Sequence, residues 1–289
     1  MGGWRAALAH LLSNSLAVDL LKDAVKFLVG AAAGWALKVG RDRWRSRRAR
    51  AFWRPFLTDD LCIVVGRFQK EFKDFERSGF LGAGDAVALA ELQHYLAKIG
   101  APEPQLFYAD QLQGDSLKHT MISLGGPDAN AVTREAAKLI GSTLRFGDPS
   151  GHEISILDTA ANPPRHFSPQ PLDRDGSGTD YGVILRAPSP FAPGKQIMIV
   201  AGSFGHGTWA GTRFVTSPAF LALPQSRAQH ALECLVKTDV VGDTPQRIQL
   251  EVVRSIETET LLPPPDAASR KKKRPTPRGR RSGRGRASN

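Results

Sequence analysis

The chain has 289 residues, 41% of them hydrophobic, with two cysteines and a net charge of +11. That size and apolar content exclude a wholly disordered or fibrous polymer, and two cysteines exclude a disulfide-stapled scaffold. The charge is unevenly held: residues 270–286 contribute +10, residues 38–54 contribute +7 and residues 1–37 contribute +1, so residues 55–269 carry a net −7. A basic chain with an acidic body has ends that can meet lipid or RNA, not a nucleic-acid-binding core.

Residues 8–39 read as a helix, with Asp19, Lys22, Asp23 and Lys26 on one face at i, i+3, i+4, i+7 spacing. The apolar run Phe27–Leu37 follows, with Trp35 near its end and Arg41, Arg43, Arg45, Arg47, Arg48 and Arg50 beyond it. An interfacial aromatic ahead of a basic cluster marks a cytoplasmic membrane boundary. The run has 11 residues, against the ~20 a spanning helix needs. Three readings stand: a weak single-pass helix, an amphipathic helix lying in the interface, and an ordinary soluble or oligomerisation helix. We expect residues 1–54 to be a hydrophobic or amphipathic helix with a basic juxtamembrane segment. It would tether a bulk that lies in the cytoplasm.

Residues 55–262 read as one α/β domain. Leu61–Phe68, opening on the apolar run Leu61–Val65, and Met121–Leu124 read as buried strands. Asp85–Ile99 has helical spacing and ends at Gly100 and Pro102, and Asn130–Ile140 is a second helix. Glu153–Leu157 is a short strand, and the Pro-, Asp- and Gly-rich segment 159–179 reads as a mobile loop. Asp180–Arg186 and Ile197–Ala201 are predicted to pair antiparallel across the turn at 188–194. Thr208–Thr216 starts a third helix, and Ala231–Thr238 with Gln246–Val253 forms a hairpin around Gly242-Asp243. The expected fold is a Rossmann-like, three-layer mixed sheet of six or seven strands with helices on its faces. Residues 263–289 open on three prolines and continue as Arg, Lys, Gly and Ser, which bury no core and are expected to be a disordered basic tail.

Three glycine-rich turns stand where strand-like runs meet helix-like runs, around Gly82 and Gly84, around Gly125 and Gly126, and from Gly202 to Gly207. Loops at the carboxyl ends of strands line the ligand crevice of open α/β sheets, and helix N-termini behind them favour anions. The candidate ligand contacts are therefore Gly82, Gly84, Asp85, Gly125, Gly126, Asn130, Thr133, Gly202, His206, Gly207 and Thr208. Asp85, Asn130 and Thr208 also sit where helix caps sit, and both roles stay open. Asp85 would suit a ribose hydroxyl. The ligand class is a nucleotide-like anionic small molecule, and anionic lipid or RNA is a partner for the basic tail. No complete dinucleotide or phosphate-loop motif occurs, and no Cys/His spacing resembles a zinc site. Ser123, Ser155 and Ser203 lack a nucleophile elbow. Glu71, Glu76 and Glu91 are the acids that a nucleotide hydrolase would draw on. Cofactor, oligomeric state and catalytic residues are not specified.

The pattern Gly-Gly-Pro-x-x-Asn-x-x-Thr at 125–133, with Asp180-Tyr181-Gly182-Val183-Ile184 and the stretch from Ala201-Gly202 to Gly207-Thr208, resembles a broad group of uncharacterised bacterial and archaeal proteins. The resemblance covers about residues 10–260. It implies an N-terminal membrane helix, a basic stretch and a Rossmann-like cytoplasmic domain. A related pattern occurs in the outer domain of archaeal S-layer proteins, which implies a non-enzymatic scaffold. The turn Gly205-His206-Gly207-Thr208 is similar to the phosphate loop of lysine-decarboxylase-like nucleotide-processing proteins. The Glu that follows in that family is absent here, where Arg213 is the first charged residue after Thr208.

Overall fold

The computed structural model of the chain describes residues 15–68, 74–112, 114–147, 154–227 and 231–256. The 263–289 tail and Glu71 lie outside them. The first helix, α1, runs Ser15–Trp53 without a break. Its described side chains between Asp19 and Gly40 face solvent, including Phe27, Leu28, Val29, Trp35 and Leu37. No helix among the described residues is long and apolar enough to cross a membrane. Of the three readings of this segment, a spanning helix therefore has no support here. The last turn of α1 belongs to the folded body instead. Phe52 and Trp53 are buried and meet Phe56, Tyr95 and Phe220 in a chain of edge-on and tilted ring contacts. The apolar core thus begins several residues before position 55.

Seven strands form one mixed sheet: β1 Leu61–Val65, β2 Gln105–Tyr108, β3 Thr120–Leu124, β7 Gly178–Pro188, β8 Gln196–Gly202, β9 Ala231–Val241 and β10 Thr244–Ile256. Their order across the sheet is β10-β9-β7-β8-β3-β1-β2. The four strands β8, β3, β1 and β2 are mutually parallel, and β7, β9 and β10 extend the sheet antiparallel from β8. The antiparallel pairing expected for 180–186 and 197–201 is present, with Gly182 opposite Gly202 and Pro188 opposite Gln196. The β9–β10 hairpin turns through Gly242 and Asp243, both at φ 55°, as a two-residue primed turn requires.

Every residue of β1 and β3 is buried, which explains their unbroken apolar runs: helices cover both faces of the sheet. On one face, α2 (Ala83–Ile99), α4 (Gly205–Val215), the short α5 (Pro218–Ala222) and the end of α1 pack on Leu61, Ile63, Val65, Ile122 and Val200. On the other face, α3 (Ala131–Ile140) lays Val132, Ala136 and Ile140 against Cys62, Val64, Met121 and Ile199. Gly100 at φ 86° and Gly141 at φ 75° end α2 and α3 in the left-handed conformation that glycine adopts without cost. Cys62 and Cys234 are free and buried, and burial pushes both thiols up to about 12.

Two local expectations need correction. The 153–157 segment contributes to β5, Ile156–Asp158, but to a separate three-stranded antiparallel sheet with β4 Leu144–Phe146 and β6 Arg165–Phe167. The 159–179 segment is not one open loop. It contains β6 and an isolated bridge from Gln170 to Thr179. Strands of three residues are too short to show a period, so their side chains gave no pattern.

Candidate functional site

The parallel strands leave the sheet in opposite senses at β1 and β3. From β1 the chain passes through α2 on one face to β2, and from β3 it passes into α3 on the other. In open α/β sheets the ligand crevice lies at the carboxyl ends of the strands where the winding reverses, here between β1 and β3. All three glycine turns meet there. A Cβ on Gly84 would lie 2.3 Å from the backbone of Gly205, and one on Gly126 would lie 3.2 Å from the Gly202 carbonyl. Cβ atoms on Gly82 and Gly125 would lie 3.1 and 3.4 Å from the same atom, Asp85 Oδ2. Asp85 therefore stands between the first two turns, in the opening turn of α2. Gly125 itself is at φ 101°.

The structure gives the other polar residues named from the sequence internal work. Asn130 is fully buried. Its Oδ1 accepts from Val132 N and Thr133 N at 3.0 and 3.1 Å, and its Nδ2 donates to Leu124 O at 2.8 Å and Val64 O at 3.4 Å. It caps α3 and ties that cap to the ends of β1 and β3. The Thr133 hydroxyl is buried and bonds Ser123 Oγ at 2.9 Å. The Thr208 hydroxyl is buried and accepts from Gly202 N at 2.9 Å. His206 is partly exposed, with Nε2 3.2 Å from the Asp243 carbonyl at the β9–β10 turn. Gly207 is buried against β7. Glu91 is held by Trp209 Nε1 and by a bidentate bond to Arg213, so it joins α2 to α4. Glu76 accepts from the Ser78 backbone and hydroxyl on an exposed turn.

Sequence reasoning missed Asp180. It lies at the start of a strand, and its carboxylate reaches the N-terminus of α4. There it accepts from Gly207 N at 2.5 Å and Phe204 N at 3.2 Å, besides its neighbour Tyr181 N at 2.7 Å. The positive end of α4, expected to meet a ligand's phosphate, is thus answered by a carboxylate of the chain itself. Only a charged residue placed beside an apolar run hinted at this, because its partners lie 24 and 27 positions away.

The crevice is acidic. Burial pushes the Asp85 carboxyl up to about 6; the Thr208 hydroxyl opposes the rise and the nearby Asp128 charge adds to it. Burial pushes Asp180 up to about 7 against the pull of its three N–H donors, and the Asp85 charge adds to the rise. Asp85 Oδ1 and Ser203 Oγ are buried without a hydrogen-bond partner. Buried polar atoms in that state are rare enough in folded proteins to call for an explanation. Among the described residues no group of three or more His, Cys, Asp and Glu is placed to hold a metal ion.

No family model matches this chain, and no curated protein or solved structure matches it either.

Proposed function

We propose that this chain is a Rossmann-like sensing domain that binds a nucleotide-like ligand in the crevice between β1 and β3, presenting the ribose end to Asp85. The observation that carries the reading is the buried Asp85 carboxyl between two glycine turns, with an oxygen that has no protein partner. A vicinal diol supplies the donors such an oxygen lacks, and glycines let the sugar approach the backbone. The Ser203 hydroxyl adds a second contact. The acidic surroundings disfavour a phosphate in the depth of the crevice, so the anionic end lies at the rim. There Arg134 donates to the Pro127 carbonyl at 2.8 Å and brings a positive charge to the second glycine turn.

The test is thermal unfolding of the full chain against a panel of nucleosides, nucleotides and dinucleotides. A ligand at 100 times its Kd raises stability by about 2.7 kcal/mol. The Asp85→Asn variant should lose that response while its own stability at pH 8 rises. A carboxyl raised from 3.8 to about 6 contributes stability that is present below the unfolded value and lost as pH climbs through 6. At pH 8 the wild type therefore carries a penalty of about 3 kcal/mol that Asn does not. The wild type should lose stability from pH 4 to 7 more steeply than the variant. A panel with no active member sinks the proposal.

A second reading, a hydrolase acting on a nucleotide, draws on the Asp85 carboxyl. Burial pushes it up to about 6, which suits general acid and base work. Turnover of a bound ligand, abolished in Asp85→Asn with binding retained, would favour it.

Membrane association belongs to the proposal as an interfacial contact of α1. Phe27, Leu28, Val29, Trp35 and Leu37 are 63–75% exposed, and Arg47, Arg48 and Arg50 follow. Aromatic and basic side chains in that order suit a helix lying on an anionic leaflet of the cytoplasmic face. In native cells the full chain should sediment with membranes at physiological salt. Recovery in the supernatant overturns this part.

A further inference from the structure

At the end of β7 and β8 opposite the Gly202 turn lies a cleft of about 750 Å³. Four arginines line it: Arg48 from α1, Arg54 from the turn that follows, Arg186 from the end of β7 and Arg227 from a short turn before β9. No Asp or Glu is among its described lining residues. Lys195 lies between the lining residues Gly194 and Gln196 but pairs with Asp60 instead.

Arg48 and Arg54 belong to the basic 38–54 segment, whereas Arg186 and Arg227 come from the acidic body, so the four converge from separate stretches of the chain. Arg186 is only 5% exposed, with its guanidinium 4.7 Å from the centre of the Phe52 ring. Burial holds its pKa below the ordinary value. Burial, and then the charge of Arg227, does the same to Arg48. Guanidinium forks match phosphate oxygens in pairs, and Phe52 and Leu221 give the cleft an apolar wall. A volume of this order holds a small organic molecule rather than a bare ion.

We propose that this cleft binds the phosphate group of a phosphorylated small molecule or lipid headgroup, with Arg48, Arg54, Arg186 and Arg227 as its ligands. The site is independent of the crevice at Asp85. A free phosphate ester and a phospholipid headgroup share the recognised chemistry, and the end of α1 leads into the cleft in either case.

The experiment uses the full chain, its Arg48→Gln/Arg227→Gln double variant and Asp85→Asn. The doubled positions are partly or fully exposed, so the variant keeps its core, and all three proteins carry the same basic tail. One arm measures binding of pyrophosphate and glycerol 3-phosphate by calorimetry. The other measures sedimentation with phosphatidylcholine vesicles with and without phosphatidic acid. We expect the double variant to bind the active probe about a hundredfold more weakly, the loss of two charge-assisted contacts. Asp85→Asn should bind it as the wild type does. A difference seen with the soluble anions identifies a free phosphate ligand, and a difference seen only with acidic vesicles identifies a headgroup. Binding to neither probe, or equal binding by wild type and double variant, overturns the proposal.

Discussion

Gly207→Ala should abolish the folded state. A Cβ at position 207 would sit 2.0 Å from the Tyr181 carbonyl oxygen, 2.7 Å from its carbon and 2.9 Å from Gly202 Cα. All three are backbone atoms of the sheet, so no side chain can swing aside to make room. The contact is reciprocal. A Cβ on Gly182 would meet the Gly207 carbonyl at 2.3 Å, and one on Gly202 would meet Phe204 O at 2.1 Å. The N-terminal turn of α4 therefore lies directly on β7 and β8, and the methyl group would push the helix off both. Overpacking of ordinary cores costs about 1–3 kcal/mol. Here the displaced atoms also carry the hydrogen bonds from Gly207 N to Asp180 and from Gly202 N to Thr208. Losing them adds about 1–3 kcal/mol each. The sum approaches the whole stability of a typical domain, about 5–15 kcal/mol. The check is the soluble yield and unfolding midpoint beside Gly194→Ala, where φ is 76° but nothing lies within 4 Å. That control should lose only about 1 kcal/mol. A Gly207→Ala protein melting near the wild type would mean that α4 does not sit on β7 as described. Gly126→Ala is the gentler probe of the crevice, since its closest contact, at 2.7 Å, is the movable Asp128 carboxyl.

That contrast explains what the sequence could and could not disclose. The runs Leu61–Val65, Met121–Leu124 and Ile197–Ala201 were legible as buried strands because burial on both faces leaves them almost wholly apolar, with Ser123 the one polar residue. Gly242-Asp243 was legible as a hairpin because a two-residue turn with positive φ restricts the residue types. Asn130 was legible as a cap from its neighbours alone. Its second role, closing the carbonyls of Val64 and Leu124, depends on a strand 66 positions away and was not. The edge strand β2 went unseen because Gln105, Leu106 and Tyr108 are exposed and no alternation marks them. The three glycine turns were found as a group. Yet Gly84 is there for the close approach of α2 to α4, and Gly202 and Gly207 for that of α4 to the sheet, a requirement that reads the same in sequence as a phosphate loop. The acid that fills the α4 terminus, Asp180, was hidden for the same reason: helix-end chemistry is local in space but not in the chain.

Arg254→Met should cost about 3–5 kcal/mol, by a different mechanism. Arg254, on β10, reaches under the small sheet. Its Nε donates to Glu233 Oε1 at 2.6 Å, and its Nη atoms donate to both oxygens of Asp158 at 2.7 and 3.1 Å. Glu233 is fully buried and Asp158 is 3% exposed. Glu233 also accepts from Ser142 Oγ at 2.8 Å, Thr143 N at 3.0 Å and the Thr143 hydroxyl. This network joins β9 and β10 to the sheet of β4, β5 and β6. Methionine keeps much of the stem's volume but leaves two carboxylates buried without their cation, and the loss comes from that uncompensated charge. Two further measurements separate this cause from lost packing. The first is pH. The hydrogen bond from Arg254 holds Asp158 below the usual carboxylate range. In the wild type that contribution is present above the unfolded value and is lost as pH falls through the folded one. In Arg254→Met the sign reverses, because protonation now removes a buried charge, so the variant should regain part of its loss between pH 7 and 5. The second is replacement of the whole group: Arg254→Met with Glu233→Leu and Asp158→Leu should be more stable than Arg254→Met alone. If Arg254→Met lies within 1 kcal/mol of the wild type at pH 7, about the range of an exposed pair, or if acid destabilises it further, the network is not what holds the two sheets together.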